Sequence, residues 1–261
     1  MATRPPSAAD DFREPNLASR RDRERGLTLI GAGLAILVAA TCIRLGIWQT
    51  HRLKARRASN ANISARLALP PIDLYGALPP ADSLAWRRII ATGRFDTTQM
   101  YVLRTRSFAE LPGVDVVVPF RAGDSPLLFL VNRGWLPSED GETVNPHGLT
   151  PGDSLRLAGV LVPMAPARAM QTPRPVTGVA GVTALRWLDP AAMSRTLGAP
   201  VYPLVVQELP GPGGPEWPRR RPLPALDDGP HLSYAIQWFA FALVVLVGSS
   251  VLALRRLRRL I

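Results

Sequence analysis

The stretch His231 to Ile261, HLSYAIQWFAFALVVLVGSSVLALRRLRRLI, decides which solvent the chain is built for. Tyr234 to Leu254 is 21 residues without a charged side chain. At about 1.5 Å of rise per residue this covers the roughly 30 Å hydrocarbon core of a bilayer, so a transmembrane helix is predicted over 232–254. Arg255, Arg256, Arg258 and Arg259 follow with no acid nearby. Short basic flanks stay on the cytoplasmic side, so 255–261 reads as a basic cytoplasmic tail. His231, Tyr234 and Trp238 fall at the other end, where amphipathic rings settle among the headgroups.

Working outward, a second apolar run, LTLIGAGLAILVAATCI, covers Leu27 to Ile43 and continues past Arg44 through Leu45, Gly46, Ile47 and Trp48. It exceeds the apolar region of a cleaved signal and lacks an Ala-x-Ala site, so an uncleaved transmembrane helix is predicted over 27–48. Arg44 lies within a turn of its end and can extend its guanidinium to the interface. Residues 1–26 mix six arginines with five acids and few apolar residues, the composition of a disordered tail. Those acids argue against a mitochondrial transit peptide and for a bacterial inner-membrane protein.

Two spans separated by a long segment put both termini on one side, here the cytoplasm, with 49–231 as a periplasmic domain. Arg52, Lys54, Arg56 and Arg57 oppose this orientation, but long segments translocate largely regardless of charge.

Composition agrees with that outline. A 261-residue chain that is 47% hydrophobic suits one extramembrane domain and a few spans better than a many-helix transporter. A net charge of +11 would suggest nucleic acid in a soluble protein. Here much of it flanks membrane, and neither a ribonucleoprotein motif nor zinc-finger spacing is present, so no nucleic-acid partner is expected. Cys42 is the only cysteine, which excludes an intramolecular disulfide, a CxxC pair and a CxxCH haem attachment. It reads as a small buried hydrophobe.

The segment between the spans is patterned mostly as strands. Arg87–Phe95, Met100–Phe108, Asp115–Arg121, Leu127–Trp135, Ser154–Pro163 and Val201–Leu209 are apolar or alternating runs separated by Gly, Pro, Asp and Asn. Within Met100–Phe108, Arg104 and Arg106 share one face and Tyr101, Leu103 and Thr105 the other, as for a strand covering a core on one side. Leu127–Val131 is apolar on both faces and reads as central. One helix is well signalled: Asp189 as N-cap, Pro190 in the first turn, Met193 and Leu197 four apart, and Gly198 as the stop. Segments 66–83, 163–176 and 209–230 are rich in proline and read as extended connections. The predicted class is therefore an α+β membrane protein, with two transmembrane helices flanking a mostly antiparallel, barrel- or sandwich-like β domain with one or two short helices.

Catalytic chemistry finds little support. Gly152-Asp153-Ser154-Leu155 and Asp228-Gly229-Pro230-His231 spell fragments of a serine-esterase motif set, but the intermediate oxyanion blocks are missing and the serine precedes a β-rich stretch. The histidines His51, His147 and His231 lie at no metal-ligand spacing, and His147 reads as a solvated loop residue. His51 and His231 should reach the same external interface. Helical spacing puts Arg44, Trp48 and His51 on one face, and His231, Tyr234 and Trp238 on another. An interfacial aromatic belt is the simpler account of these residues. A haem site is the other, with imidazole for the iron, flat rings for the macrocycle and guanidinium for the propionates.

Several blocks resemble a known family. Leu45-Gly46-Ile47-Trp48-Gln49-Thr50-His51-Arg52 is similar to the LGxWQxxR signature of the surfeit locus protein 1 family of cytochrome oxidase assembly factors. Arg87-Arg88 with Gly93-Arg94-Phe95-Asp96, then Val131-Asn132-Arg133-Gly134-Trp135-Leu136-Pro137, then His231 to Phe239 follow in that family's order. The resemblance implies a non-enzymatic role: assisting insertion of haem a into the core subunit of a haem-copper oxidase, with the core subunit, other assembly factors and the bilayer as partners. It implies His231 as an iron ligand; the aromatic, imidazole and arginine side chains beside it at the same interface make Tyr234, Trp238, Trp48, Arg52 and His51 further cofactor-binding candidates. A protein-only scaffold that stabilises an assembly intermediate without haem is the alternative. The chain departs from the family at Gly229-Pro230, where two asparagines are usual. Asn132-Arg133-Gly134-Trp135 reads either as a strand ending in a turn or as a docking point built on Arg133.

Overall fold

The computed structural model describes residues 17–75, 78–149, 155–164, 171–210 and 216–258. In chain order the elements are α1 (Leu17–Ala68), β1 (Ile72–Asp73), α2 (Ala81–Leu84), β2 (Arg88–Phe95), β3 (Met100–Phe108), β4 (Leu111–Ala122) and β5 (Leu128–Pro137). They continue as β6 (Leu155–Pro163), β7 (Arg174–Pro175), β8 (Val182–Leu185), α3 (Pro190–Leu197), β9 (Val201–Glu208) and α4 (His231–Arg258). Residues through Ser59 and from Asp227 onward form one unit, and Asn60–Leu226 forms the other.

α1 runs for 52 residues because nothing in it stops a helix: it holds no proline, and the first breaker is Pro70-Pro71. It starts inside the segment read as a tail and continues well past Trp48; residues 1–16 lie outside the described residues. Both α1 and α4 are long and apolar enough to cross a membrane. Their outward side chains, Leu29, Ile30, Ile36, Ile236, Leu243 and Val244 among them, are exposed, which is stable only in an apolar solvent. Ala39, Cys42, Gly46, Gln49 and Leu53 form the buried stripe of α1, at steps of three and four. On α4 the covered positions are His231, Ala235, Trp238 and Ala242, at the same steps. Cys42 is a free, buried thiol within that stripe, as expected.

The second unit is a barrel. β2 pairs antiparallel with β6, β6 antiparallel with β9, β9 parallel with β5, and β5 antiparallel with β4. β4 then returns to β2, setting Phe120–Ala122 against Gly93–Phe95 and closing a five-stranded ring. That cyclic order, with its single parallel pair, is the connectivity of an OB barrel, a likeness of fold and not of function. β3, β8 and β7 extend outward from β4, and β1 adds to β2. Ile89, Phe95, Val116, Val118, Phe120, Phe129, Val131, Leu157 and Val206 fill the interior. The predicted class, two apolar helices flanking a β-rich domain, is what the structure has.

Six predicted strands are present within a few residues of their expected ends, and β5 is buried along nearly its whole length. α3 forms as predicted: the Asp189 carboxylate accepts from Ala191 N–H and Ala192 N–H, and Gly198 takes the left-handed conformation at φ 63°. One reading is corrected. β3 is not covered on one face only, since Met100, Tyr101, Val102 and Leu103 are all buried. Met100 and Val102 belong to the main core cluster, whereas Tyr101 and Leu103 join a second cluster with Leu188 and Met193. A bulge between Leu103 and Arg106, with Thr105 at φ 57°, then breaks the alternation.

Candidate functional site

The predicted residues on the two long helices differ in burial and in their contacts. His231, the first residue of α4, is half-buried, and its Nδ1 lies 2.9 Å from Gln49 Oε1. Gln49 is 9% exposed, a polar side chain within the buried stripe of α1. Trp238 is half-buried on the His231 side of α4, its ring edge-on to Phe241 with centroids 5.9 Å apart. Trp48, His51, Arg52 and Tyr234 are all exposed. The imidazole of His231 thus has its polar partner on α1 at Gln49 rather than at His51. Successive residues turn by about 100°, so Gln49 and His51 lie some 200° apart around the axis, and only Gln49 reaches the imidazole.

Contacts above and below this pair fix the helix register. Just before α4, Arg56 bonds the Asp227 carboxylate and carbonyl, each at 2.7 Å. Arg57 grips Asp228 through Nε and Nη2, the shortest contact being 2.6 Å. Arg56 is the main cause holding Asp227 below the usual carboxylate range, and Arg57 does the same for Asp228. Gly46 sits under the Phe239 ring, where an added Cβ would come within 2.7 Å of Cε1. At the far end Arg256 donates to Thr28 Oγ1 at 2.7 Å. Half of the positive cluster at 52–57 is thus neutralised locally, a pairing that spacing along the chain does not reveal.

A second concentration of charge lies in the barrel unit, around Asn132-Arg133-Gly134-Trp135. Arg133 is 1% exposed. Its Nε lies 2.7 Å from Glu208 Oε2, and Arg220 Nη2 lies 2.7 Å from Glu208 Oε1. The Arg133 guanidinium also stands 4.9 Å over the Phe95 ring. Burial pulls the Arg133 value below that of a free arginine, against the attraction of Glu208. Asp115 takes Arg221 Nε at 2.6 Å and Asn132 Nδ2 at 3.3 Å.

Both sequence readings of this block are corrected: it neither ends a strand nor offers Arg133 for docking. It lies inside β5, where Val116 faces Gly134 and Val117 faces Asn132, leaving Arg133 as the extra residue of a bulge. Gly134 adopts φ 127°, and a Cβ there would meet Arg219 O at 2.4 Å. The main chain of Trp135 bonds that of Arg219 in both directions. Segment 217–221 is thereby strapped along the barrel wall.

The Gly93-Arg94-Phe95-Asp96 block ends β2 and lines an open groove of about 560 Å³ with Tyr75, Arg121 and Asp124. Exposed Arg94 faces Arg121 across the ladder. His147 is an exposed loop residue whose Nε2 contacts the Ala180 carbonyl at 2.9 Å. Among the described residues no group of three or more His, Cys, Asp and Glu could hold a metal ion. Gly152, Asp153 and Ser154 lie outside the described residues.

Comparison with known proteins agrees with the sequence blocks. The model of the SURF1 family matches residues 36–243. An uncharacterised SURF1-like protein of Mycobacterium tuberculosis is 28% identical over 218 residues, covering 82% of this chain and 78% of its own. Human Surfeit locus protein 1 is 24% identical over 225 residues, 79% of this chain and 72% of its own. The Saccharomyces cerevisiae cytochrome oxidase assembly protein SHY1 is 30% identical over 130 residues, 49% of this chain and 33% of its own. With a match that runs from within α1, through every strand of the barrel, into α4, the chain belongs to the SURF1 family.

Proposed function

We propose that this protein is an assembly factor for a haem-copper terminal oxidase and assists insertion of haem a into the core subunit. The supporting observations are the family, whose yeast relative is named for cytochrome oxidase assembly, and a half-buried imidazole at the head of α4. The observation that carries the haem reading is the state of that imidazole. His231 Nδ1 is engaged by Gln49, and Nε2 makes no hydrogen bond among the described residues, so one imidazole nitrogen is left that could hold a haem iron.

In this reading His231 holds the haem iron and Trp238 supplies an apolar wall on the same side of α4. When bound, the haem would supply a Lewis-acidic iron. The residues of this chain only hold, orient and release it, with the oxidase core subunit and other assembly factors as partners. The protein resides in a bacterial inner membrane with the barrel outside and both termini in the cytoplasm.

Membranes from cells lacking the protein test this directly. Selective loss of the a-type haem absorption with b-type haem intact is expected; normal oxidase maturation would sink the proposal. The exposure of Trp48, His51, Arg52 and Tyr234 favours a second reading, in which these side chains meet a partner protein and no haem is bound. Full oxidase yield from a His231→Ala strain would support that scaffold instead.

A further inference from the structure

The structure assigns Gln49 as the positioning residue of the His231 imidazole: its amide oxygen accepts from Nδ1–H, so the neutral ring carries its proton there and presents the Nε2 lone pair outward as a ligand. The inference rests on the haem reading of His231.

Three observations carry it. Gln49 is a nearly buried amide in a stripe otherwise made of Ala39, Cys42, Gly46 and Leu53, and His231 is its one side-chain partner among the described residues. An amide in such surroundings is costly without a partner, and the imidazole is the group it meets. His231 also stands at the very start of α4, preceded by Gly229 at φ 63° and Pro230. No earlier helical turn packs on its side chain, so the ring orientation is set by what its nitrogens touch. Finally, metal-bound histidines generally give their second ring N–H to an acceptor, which fixes the tautomer and raises ligand basicity. Gln49 Oε1 at 2.9 Å is such an acceptor. His51, two residues along α1, is exposed and cannot substitute for it.

The test uses the full-length protein in detergent, with ferric haem (hemin) as the probe. Three readouts are taken: affinity by absorbance titration, the iron–histidine stretch of the ferrous form by resonance Raman, and the reduction midpoint. Gln49→Leu removes the acceptor; it should weaken hemin binding by about tenfold to a hundredfold, lower the stretching frequency and raise the midpoint. Gln49→Glu keeps an acceptor and strengthens it, so binding should persist while the frequency rises and the midpoint falls. A merely structural amide would move neither frequency nor midpoint in opposite directions for the two variants. If Gln49→Leu does not fold, by far-ultraviolet circular dichroism, the frequency of Gln49→Glu decides alone. Unchanged values in the folded variants, while His231→Ala abolishes the complex, would overturn the role of Gln49 and leave the haem reading standing. Unchanged binding and spectrum in His231→Ala would overturn the haem reading itself, and the role of Gln49 with it.

Discussion

Arg133 Nε and Glu208 Oε2 lie 2.7 Å apart in the wall of the barrel, joining the bulge of β5 to the end of β9. Glu208 is shared with Arg220, so one carboxylate compensates two guanidiniums that are almost wholly removed from water. Without it both cations would stay buried and unpaired.

Glu208→Ala should therefore destabilise the fold by about 3–5 kcal/mol, the range for breaking one side of a buried pair. Thermal unfolding of the purified protein followed by near-ultraviolet circular dichroism measures this. A loss below about 1 kcal/mol, the value of an exposed pair, would show that the network is solvated.

Gly134→Ala should unseat the 217–221 strap. The added carbon would collide with Arg219 O at 2.4 Å in a backbone conformation that L residues rarely adopt. Trp135 and Trp217, whose ring centroids stand 6.3 Å apart, would gain water, giving a red-shifted fluorescence and new protease cuts near 216–222. Gly178→Ala is the control: it shares a positive φ but has nothing within 4 Å, so it should add only about 1–2 kcal/mol of strain with no red shift.

The Arg56–Asp227 and Arg57–Asp228 clamps predict a defined acid sensitivity. Both carboxylates titrate below their usual value of 3.8 in the folded protein. Depression of the folded value means that their stabilisation is complete above the unfolded value and disappears as pH falls through the folded one. Asp227→Asn/Asp228→Asn should be less stable than the unsubstituted protein at pH 6, and the two should converge as pH falls below the usual carboxylate value and through the lowered folded ones. A gap that persists through that range would exclude the linkage.

The proposed orientation follows the short arginine cluster after α4, because Arg52 to Arg57 belong to a long segment that translocates largely regardless of charge. Alkaline phosphatase inserted after Leu223 should be active, and green fluorescent protein fused after Ile261 should fluoresce. The opposite pattern would invert the proposed topology.

Much of the molecule was legible along the chain. The two spans could be read because a bilayer demands a fixed length of apolar helix, which is a local property. α3 was legible because Asp189, Pro190 and Gly198 each act on their own few bonds. β5 could be read as central because Leu127 to Val131 is apolar at every position. β8 escaped because Val182–Leu185 is short and is stabilised by a parallel partner, β3, far away in sequence.

The candidate site was legible in its residue types and not in its arrangement. Sequence by itself determined that imidazole, aromatic and arginine side chains gather where both long helices leave their apolar runs, because helix length and hydropathy act residue by residue. Only the tertiary structure decided that Gln49, and not His51, meets His231, and that Arg133 turns inward to Glu208. Those outcomes depend on the rotation of one helix about its axis and on a single-residue bulge in one strand. Both are set by packing between segments remote in the chain, which no local pattern encodes.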